Sequence, residues 1–144
     1  MKKNIILAIL IAVTISGAAQ DKAKESKVKH ITYKEFLQNI WDFEKNPNAF
    51  VFKGKTAVIV DFYADWCGPC RKVAPIMEKM AETYADSLTI YKVNVDKEKQ
   101  LAGAFGVRSI PTLLFIPKEG QPMMQAGAMT ESDYIKIIEE RLLK

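Results

Sequence analysis

Between positions 56 and 64 the chain is apolar at almost every residue. Val58, Val60, Phe62 and Ala64 fall on one face of an extended run; Ala57, Ile59, Asp61 and Tyr63 fall on the other. A strand apolar on both faces belongs in the middle of a sheet covered on both sides. That placement puts the Asp61 carboxylate inside a buried strand. Residues 88–95 read as a second central strand with Lys92 as the odd charge, 110–116 as a third, entered through Pro111, and 122–127 as the last. The turn 118–120 joins the last two.

Helical spacing fills the intervals. Residues 32–45 carry Tyr33, Phe36, Leu37, Ile40 and Trp41 on one stripe, and Thr32 with Glu35 makes a capping box. Asn46, Pro47 and Asn48 break that helix, and 49–52 read as a short strand ended by Lys53, Gly54 and Lys55. Residues 68–84 repeat Val73, Ile76, Met77, Met80, Ala81 and Tyr84, with Pro75 inside, where a kink is expected. Residues 97–105 form a short helix that Gly106 is placed to stop. Thr130 and Asp133 cap a terminal helix over 131–143, with Arg141 and Lys144 at the end where the helix dipole favours cations. The order of strands and helices, closing in a hairpin and a helix, predicts an α/β domain over 32–144: a central mixed sheet with helices on both faces. There is no internal repeat and no second domain.

The N-terminal residues differ in kind. Lys2 and Lys3 precede an apolar run over 5–15 and the small residues Ser16, Gly17, Ala18 and Ala19. This is the pattern of a secretory signal peptide over 1–19, with cleavage expected after Ala19. The apolar run is shorter than the roughly 20 residues that span a bilayer. Residues 20–31, rich in lysine, read as a flexible tether; His30, the only histidine, is expected to be solvated at its end rather than a catalytic base. At 144 residues and 49% hydrophobic, the chain has room for one ordinary core. A net charge of +4 with both signs interspersed and no basic stripe argues against nucleic acid as a partner.

The chemistry concentrates in the only two cysteines, within Trp66-Cys67-Gly68-Pro69-Cys70 at the predicted strand-to-helix junction. Two thiols at this spacing close into a small ring and can cycle between oxidised and reduced states. A bridge across so few residues restrains little of the unfolded chain, so it serves poorly as a structural staple even in an oxidising compartment. At the start of a helix the first thiol meets unpaired N–H groups and the positive dipole end, which favour its thiolate. Zinc usually takes four ligands; two thiols and one distant histidine do not supply them, so no metal is expected. So short a chain shows no flavin or nicotinamide site, and no cofactor is expected. A binding module with incidental thiols, a disulfide oxidase or isomerase, and a thiol peroxidase are the competing readings.

The ordered set 60–70 (Val-Asp-Phe-Tyr-Ala-Asp-Trp-Cys-Gly-Pro-Cys), Pro75, 93–96 (Val-Asn-Val-Asp), Ile110-Pro111-Thr112 and Gly127 resembles the thioredoxin family, over about 56–143 with a looser match from Thr32. The resemblance implies the thioredoxin fold and a redox disulfide between Cys67, the attacking thiol, and Cys70, the resolving thiol. It makes Asp61 the buried acid that moves a proton during resolution, Lys92 the lysine near it, and Pro111 a cis-proline facing the thiols. Trp66, Gly68, Pro69, Ile110, Gly127 and Ala128 match the surface that docks substrate chains. Ser109, where many members carry glycine, and a longer stretch over 43–55 depart from the pattern. The Gly68-Pro69 pair resembles reductive members, which implies a low potential, near the thioredoxin value of about −270 mV. The implied partners are disulfide-containing protein substrates and an external electron donor such as a membrane thiol reductase. The expected state is a monomer, and the expected location periplasmic or secreted.

Overall fold

A computed structural model describes residues 26–144; the expected signal peptide and most of the expected tether lie outside the described residues. Along the chain run β1 (Lys29–His30), α1 (Tyr33–Asn39), β2 (Ala57–Tyr63), α2 (Gly68–Thr83), β3 (Leu88–Asn94), α3 (Lys99–Ala104), β4 (Thr112–Ile116), β5 (Met123–Ala126) and α4 (Glu131–Ile137). A π-helical turn, Ile138–Leu142, continues α4. The strands form one sheet in the order β1-β3-β2-β4-β5. The two-sided apolar strand β2 sits at its centre, parallel to β3 and antiparallel to β4.

The two faces of β2 feed separate cores. Ala57 and Ile59 join Leu88, Ile90, Leu113 and Phe115 beneath α2 and the C-terminal helix, where Met77, Tyr134 and Ile138 are buried. Val58, Val60 and Phe62 join Val93, Leu114 and Ile116 against Phe36 and Ile40 of the α1 segment and Leu101 of α3. The caps are local and form as their side chains dictate: Thr32 with Glu35 and Thr130 with Asp133 each make both halves of a capping box. Gly106 ends α3 with φ +61°, a conformation glycine adopts without cost from a Cβ.

Three expectations are corrected. The tether does not extend to residue 31. Lys29 and His30 pair in parallel with Tyr91 and Lys92, and the Ile31 N–H donates to the Lys92 carbonyl at 3.2 Å. Val28 and Ile31 flank this strand and are buried, and the Glu78 carboxylate on α2 accepts from Ser26 Oγ and from the Lys27 and Val28 amides. Two buried side chains and a shared acceptor fix a segment whose composition looks solvated.

The first helix ends at Asn39, not near Lys45. Asp42 starts a separate turn, accepting the Lys45 amide on its side chain and the Asn46 amide on its carbonyl. Residues 49–52 do not form a strand. Phe50 stacks on Phe52 with ring centroids 6.1 Å apart and meets Trp41 edge-on at 5.2 Å, while the Lys53 amide donates to the Ile40 carbonyl. Aromatic packing thus replaces a strand ladder. A Cβ at Gly54 would lie 2.7 Å from Cε2 of the Phe52 ring, so any larger residue there forces that ring to move.

Candidate functional site

The site lies where β2 runs out of the sheet and α2 begins. Cys67 is the N-cap of α2, with extended backbone (φ −79°, ψ 106°), and its Sγ accepts the Cys70 amide at 3.2 Å. Pro69 falls in the first helical turn, where a missing N–H leaves no helical bond unmade. Cys67 and Cys70 are joined, with S–S 2.01 Å and Cα–Cα 5.3 Å. Both are buried and form a small cluster with Ala64, against which Tyr63, Val95 and Ile110 pack. When the pair is reduced, the amide and the dipole end aimed at Cys67 Sγ favour a thiolate there over one at Cys70.

Asp61 stands on the α2-covered face of β2, 5% exposed. Its Oδ1 is buried without a hydrogen-bond partner among the described residues. Burial pushes this carboxyl from 3.8 up to about 7, and the Lys92 ammonium pulls the other way. Lys92 is its register partner on β3. A cavity of about 210 Å³ is lined by Asp61, Cys70, Lys92, Tyr63, Asp65 and Arg71 among others. That is ample for water, so the carboxyl and the second cysteine border one space through which a proton can pass.

Pro111 is buried and follows a cis peptide bond from Ile110. Its carbonyl accepts the Gly127 amide at 2.8 Å, and the Thr112 hydroxyl donates to the Ser109 carbonyl at 2.7 Å. Gly127 has φ +88°, left-handed backbone that resists a side chain. Gly127 and Ala128 are exposed just beyond β5. Trp66 is 69% exposed, and its indole N–H donates to Asp96 at 2.9 Å. A large apolar ring this exposed is not core, and its polar handle fixes its place at the surface. Gly68, half-buried, and Pro69, exposed, lie between the two cysteines.

The structure therefore brings Asp61, Lys92 and Cys70 to one cavity and Trp66 and Ile110 to one groove, with Cys67 bonded to Cys70 and Pro111 next in the chain to Ile110. It adds residues to which the sequence attached no role. Tyr63, Asp65 and Arg71 line the Asp61 cavity. Asn94 ties the loops together, donating to Asp65 at 3.3 Å and accepting the Asp96 amide at 3.0 Å. His30 is not remote from the site: its ring lies 6.2 Å from that of Tyr63, which itself packs on the cysteine cluster. Partial burial and the charges of Lys92 and Lys97 hold His30 below the usual histidine range. Only the pairing of β1 with β3 reveals this placement, and a two-residue strand has no periodicity to announce it. Among the described residues, no group of three or more histidine, cysteine or acidic side chains is placed to hold a metal ion. No helix among them is long and apolar enough to cross a membrane.

A family model described as Thioredoxin matches residues 27–140. The chain is 41% identical over 110 residues to a thioredoxin of Borreliella burgdorferi, covering 76% of this chain and 93% of that one. A thioredoxin of Chlorobaculum thiosulfatiphilum is 40% identical over 100 residues, covering 69% and 92%. One from Alicyclobacillus acidocaldarius is 48% identical over 73 residues, covering 51% and 69%.

Proposed function

The chain belongs to the thioredoxin family and is a thiol–disulfide oxidoreductase, and on that premise we propose that it reduces protein disulfides in the cell envelope. The observation that carries the reading is a bonded Cys67–Cys70 pair at the N-terminus of α2, with an ionisable, unpartnered Asp61 lining the cavity that Cys70 also lines.

In the proposed cycle the reduced pair presents Cys67 as thiolate. It attacks one sulfur of a substrate disulfide; that S–S bond breaks, a Cys67–substrate S–S bond forms, and the departing substrate thiolate takes up a proton. Cys70 then loses its proton to the Asp61 carboxylate, through water in the cavity, and attacks Cys67 Sγ. The mixed disulfide breaks, the Cys67–Cys70 bond forms, and the second substrate thiolate leaves and is protonated. The substrate has gained two electrons and two protons; the protein has lost two electrons and the Cys70 proton, and the second proton comes from the solvent that took it when Cys67 ionised. A carboxyl poised near 7 accepts and returns a proton with little penalty at working pH. Lys92 keeps enough positive charge nearby for the ionised form to exist in a buried strand. Trp66, Gly68, Pro69, Ile110, Gly127 and Ala128 supply the docking rim, with cis Pro111 setting the backbone beside the disulfide.

Reduction as the net direction is supported by Gly68 and Pro69, neither of which adds positive charge to stabilise the reduced form further. The expected potential is near the thioredoxin value of about −270 mV. Fresh electrons must come from an external dithiol donor, proposed to be a membrane thiol reductase. The envelope location rests on the basic, apolar and small-residue pattern of residues 2–19, and the protein is proposed to act as a monomer. Insulin reduction with dithiothreitol as donor tests the cycle. Cys67→Ser should be inactive, and Cys70→Ser should accumulate mixed disulfides; activity retained in Cys67→Ser would refute the assigned nucleophile. A potential above that of protein disulfide isomerase, about −180 mV, would reverse the direction. Activity of an alkaline phosphatase fused after residue 31 reports export; an inactive, cytosolic fusion would remove the envelope assignment.

A further inference from the structure

An open groove of about 360 Å³, which shares no lining residue with the Asp61 cavity, is lined by Trp66, Val95, Val107, Arg108, Ser109 and Ile110. Val95 and Ile110 also pack on the cysteine cluster, so the groove borders the thiol pair. Its wall is mostly apolar, and Arg108 is the one charged side chain that lines it. Arg108 is exposed, and it makes no hydrogen bond, ion pair or ring contact among the described residues. Asp96, the carboxylate in contact with the Trp66 indole, does not line the groove.

The backbone that carries Arg108 is held on both sides. The Val107 amide donates to the Ala102 carbonyl at 2.9 Å, the Ser109 carbonyl accepts the Thr112 hydroxyl, and the Pro111 carbonyl accepts the Gly127 amide. A guanidinium presented from fixed backbone, without a partner of its own, over an apolar floor, is complementary to one kind of visitor. We propose that Arg108 is a specificity-determining residue that favours protein disulfides carrying an acidic side chain within about three residues of the half-cystine that Cys67 attacks. The inference rests on the disulfide-reductase reading above and names the substrate class for that same site. A carboxylate next to the reacting sulfur pairs with the guanidinium while neighbouring apolar side chains cover Trp66 and Ile110. An aspartate or glutamate gains a forked partner, a lysine meets like charge, and neutral residues fall between.

The test uses disulfide-linked peptide dimers of one sequence, with Glu, Gln or Lys placed in turn at each of the three positions on either side of the cysteine. kcat/KM is measured with the full mature chain and dithiothreitol as donor. The wild-type protein should prefer Glu over Lys by about three- to fivefold at one or more positions, the size of a partly exposed ion pair. The preference should fade at about 1 M salt, where the Debye length falls to about 3 Å. Arg108→Glu should invert the Glu-to-Lys ratio at the same positions, and Arg108→Lys should retain its sign; because the readout is a ratio within one protein, a general loss of activity does not mimic inversion. Neutral hydroxyethyl disulfide separates selectivity from reductase activity itself. If the wild-type protein reduces it but treats Glu and Lys peptides alike, or if Arg108→Glu keeps the wild-type order, Arg108 is not the selector. If the wild-type protein reduces neither the small disulfide nor any peptide, the reductase reading fails and takes this proposal with it.

Discussion

Replacing Asp61 with asparagine should stabilise the oxidised protein, and by more as the pH rises. The amide keeps the shape of the carboxyl and cannot ionise. In the folded protein burial raises the Asp61 carboxyl from 3.8 to about 7, against the pull of Lys92. The folded state therefore holds this proton over an interval where the unfolded chain has released it. Stability falls as pH climbs through that interval, because the unfolded state gains by ionising and the folded state does not. Each pH unit by which the carboxyl is raised corresponds to about 1.4 kcal/mol, so the full effect is about 4 kcal/mol above pH 7. Between about pH 4.5 and about pH 8.5 the same displacement is worth about 3 kcal/mol. The buried amide brings its own unmet hydrogen bonds, at about 1–3 kcal/mol. That cost is the same at every pH, so it offsets the absolute gain but drops out of the pH difference.

Urea unfolding of the oxidised wild type and Asp61→Asn across this range measures both contributions. The variant's advantage should widen by about 3 kcal/mol from acid to alkaline pH, with most of the change between about pH 4 and about pH 7. Lys92→Met should move the upper limit of that window higher, since the ammonium is what holds the carboxyl down. A gap constant to within about 0.5 kcal/mol, far short of the widening that a raised carboxyl requires, would show that Asp61 titrates like a surface carboxylate. The proton transfer proposed for Cys70 would then lose its carrier.

Phe36→Ala should cost about 3–5 kcal/mol in the same assay, because Phe36 is fully buried and meets Phe105 edge-on at 5.2 Å; a loss under about 1 kcal/mol would mean that the aromatic layer over β2 is not packed as described. Gly54→Ala should lower stability by about 1–3 kcal/mol through the collision with the Phe52 ring, and the added change Phe52→Leu should recover much of it, which a double-mutant cycle in urea would show. Glu78→Ala removes the acceptor shared by Ser26 and the Lys27 and Val28 amides; amide exchange at residues 27 and 28 should speed up about tenfold, while Ile59 and Ile90 in the sheet centre keep their protection.

What the sequence showed and what it hid follow the range of the forces involved. β2 was legible because burial on both faces leaves a continuous apolar run, and its two flanks, 57/59 and 58/60/62, went to the cores that alternation assigns them. The Thr32 and Thr130 caps and the Gly106 stop were legible because each is settled within a few residues. β1 was not. Its pairing partner lies some 60 residues away on β3, its buried residues Val28 and Ile31 flank the two paired positions, and its acceptor Glu78 is on another element. The alternating Phe50 and Phe52 looked like a strand, yet they found rings rather than a neighbouring backbone. In the site, the cysteines, Asp61 and the cis Pro111 stood in motifs. Arg71 and Arg108 did not, because a lining residue is defined by which loops the fold sets side by side.

The disulfide divides two environments that need opposite properties. On the Asp61 side the cavity is small and the carboxyl in its wall is buried: desolvation lifts it to about 7, where it exchanges a proton at neutral pH. On the Trp66 side the groove is open and apolar, and its value lies in exposure: a ring 69% in water has area to lose to a partner. The two spaces share no lining residue. The α2 N-terminus separates them, with Cys67 under the first amides of the helix and Cys70 one turn inward. The order of events in the proposed cycle follows from that geometry. The cysteine whose thiolate the helix stabilises meets substrate, and the one beside the buried acid waits for the proton to move.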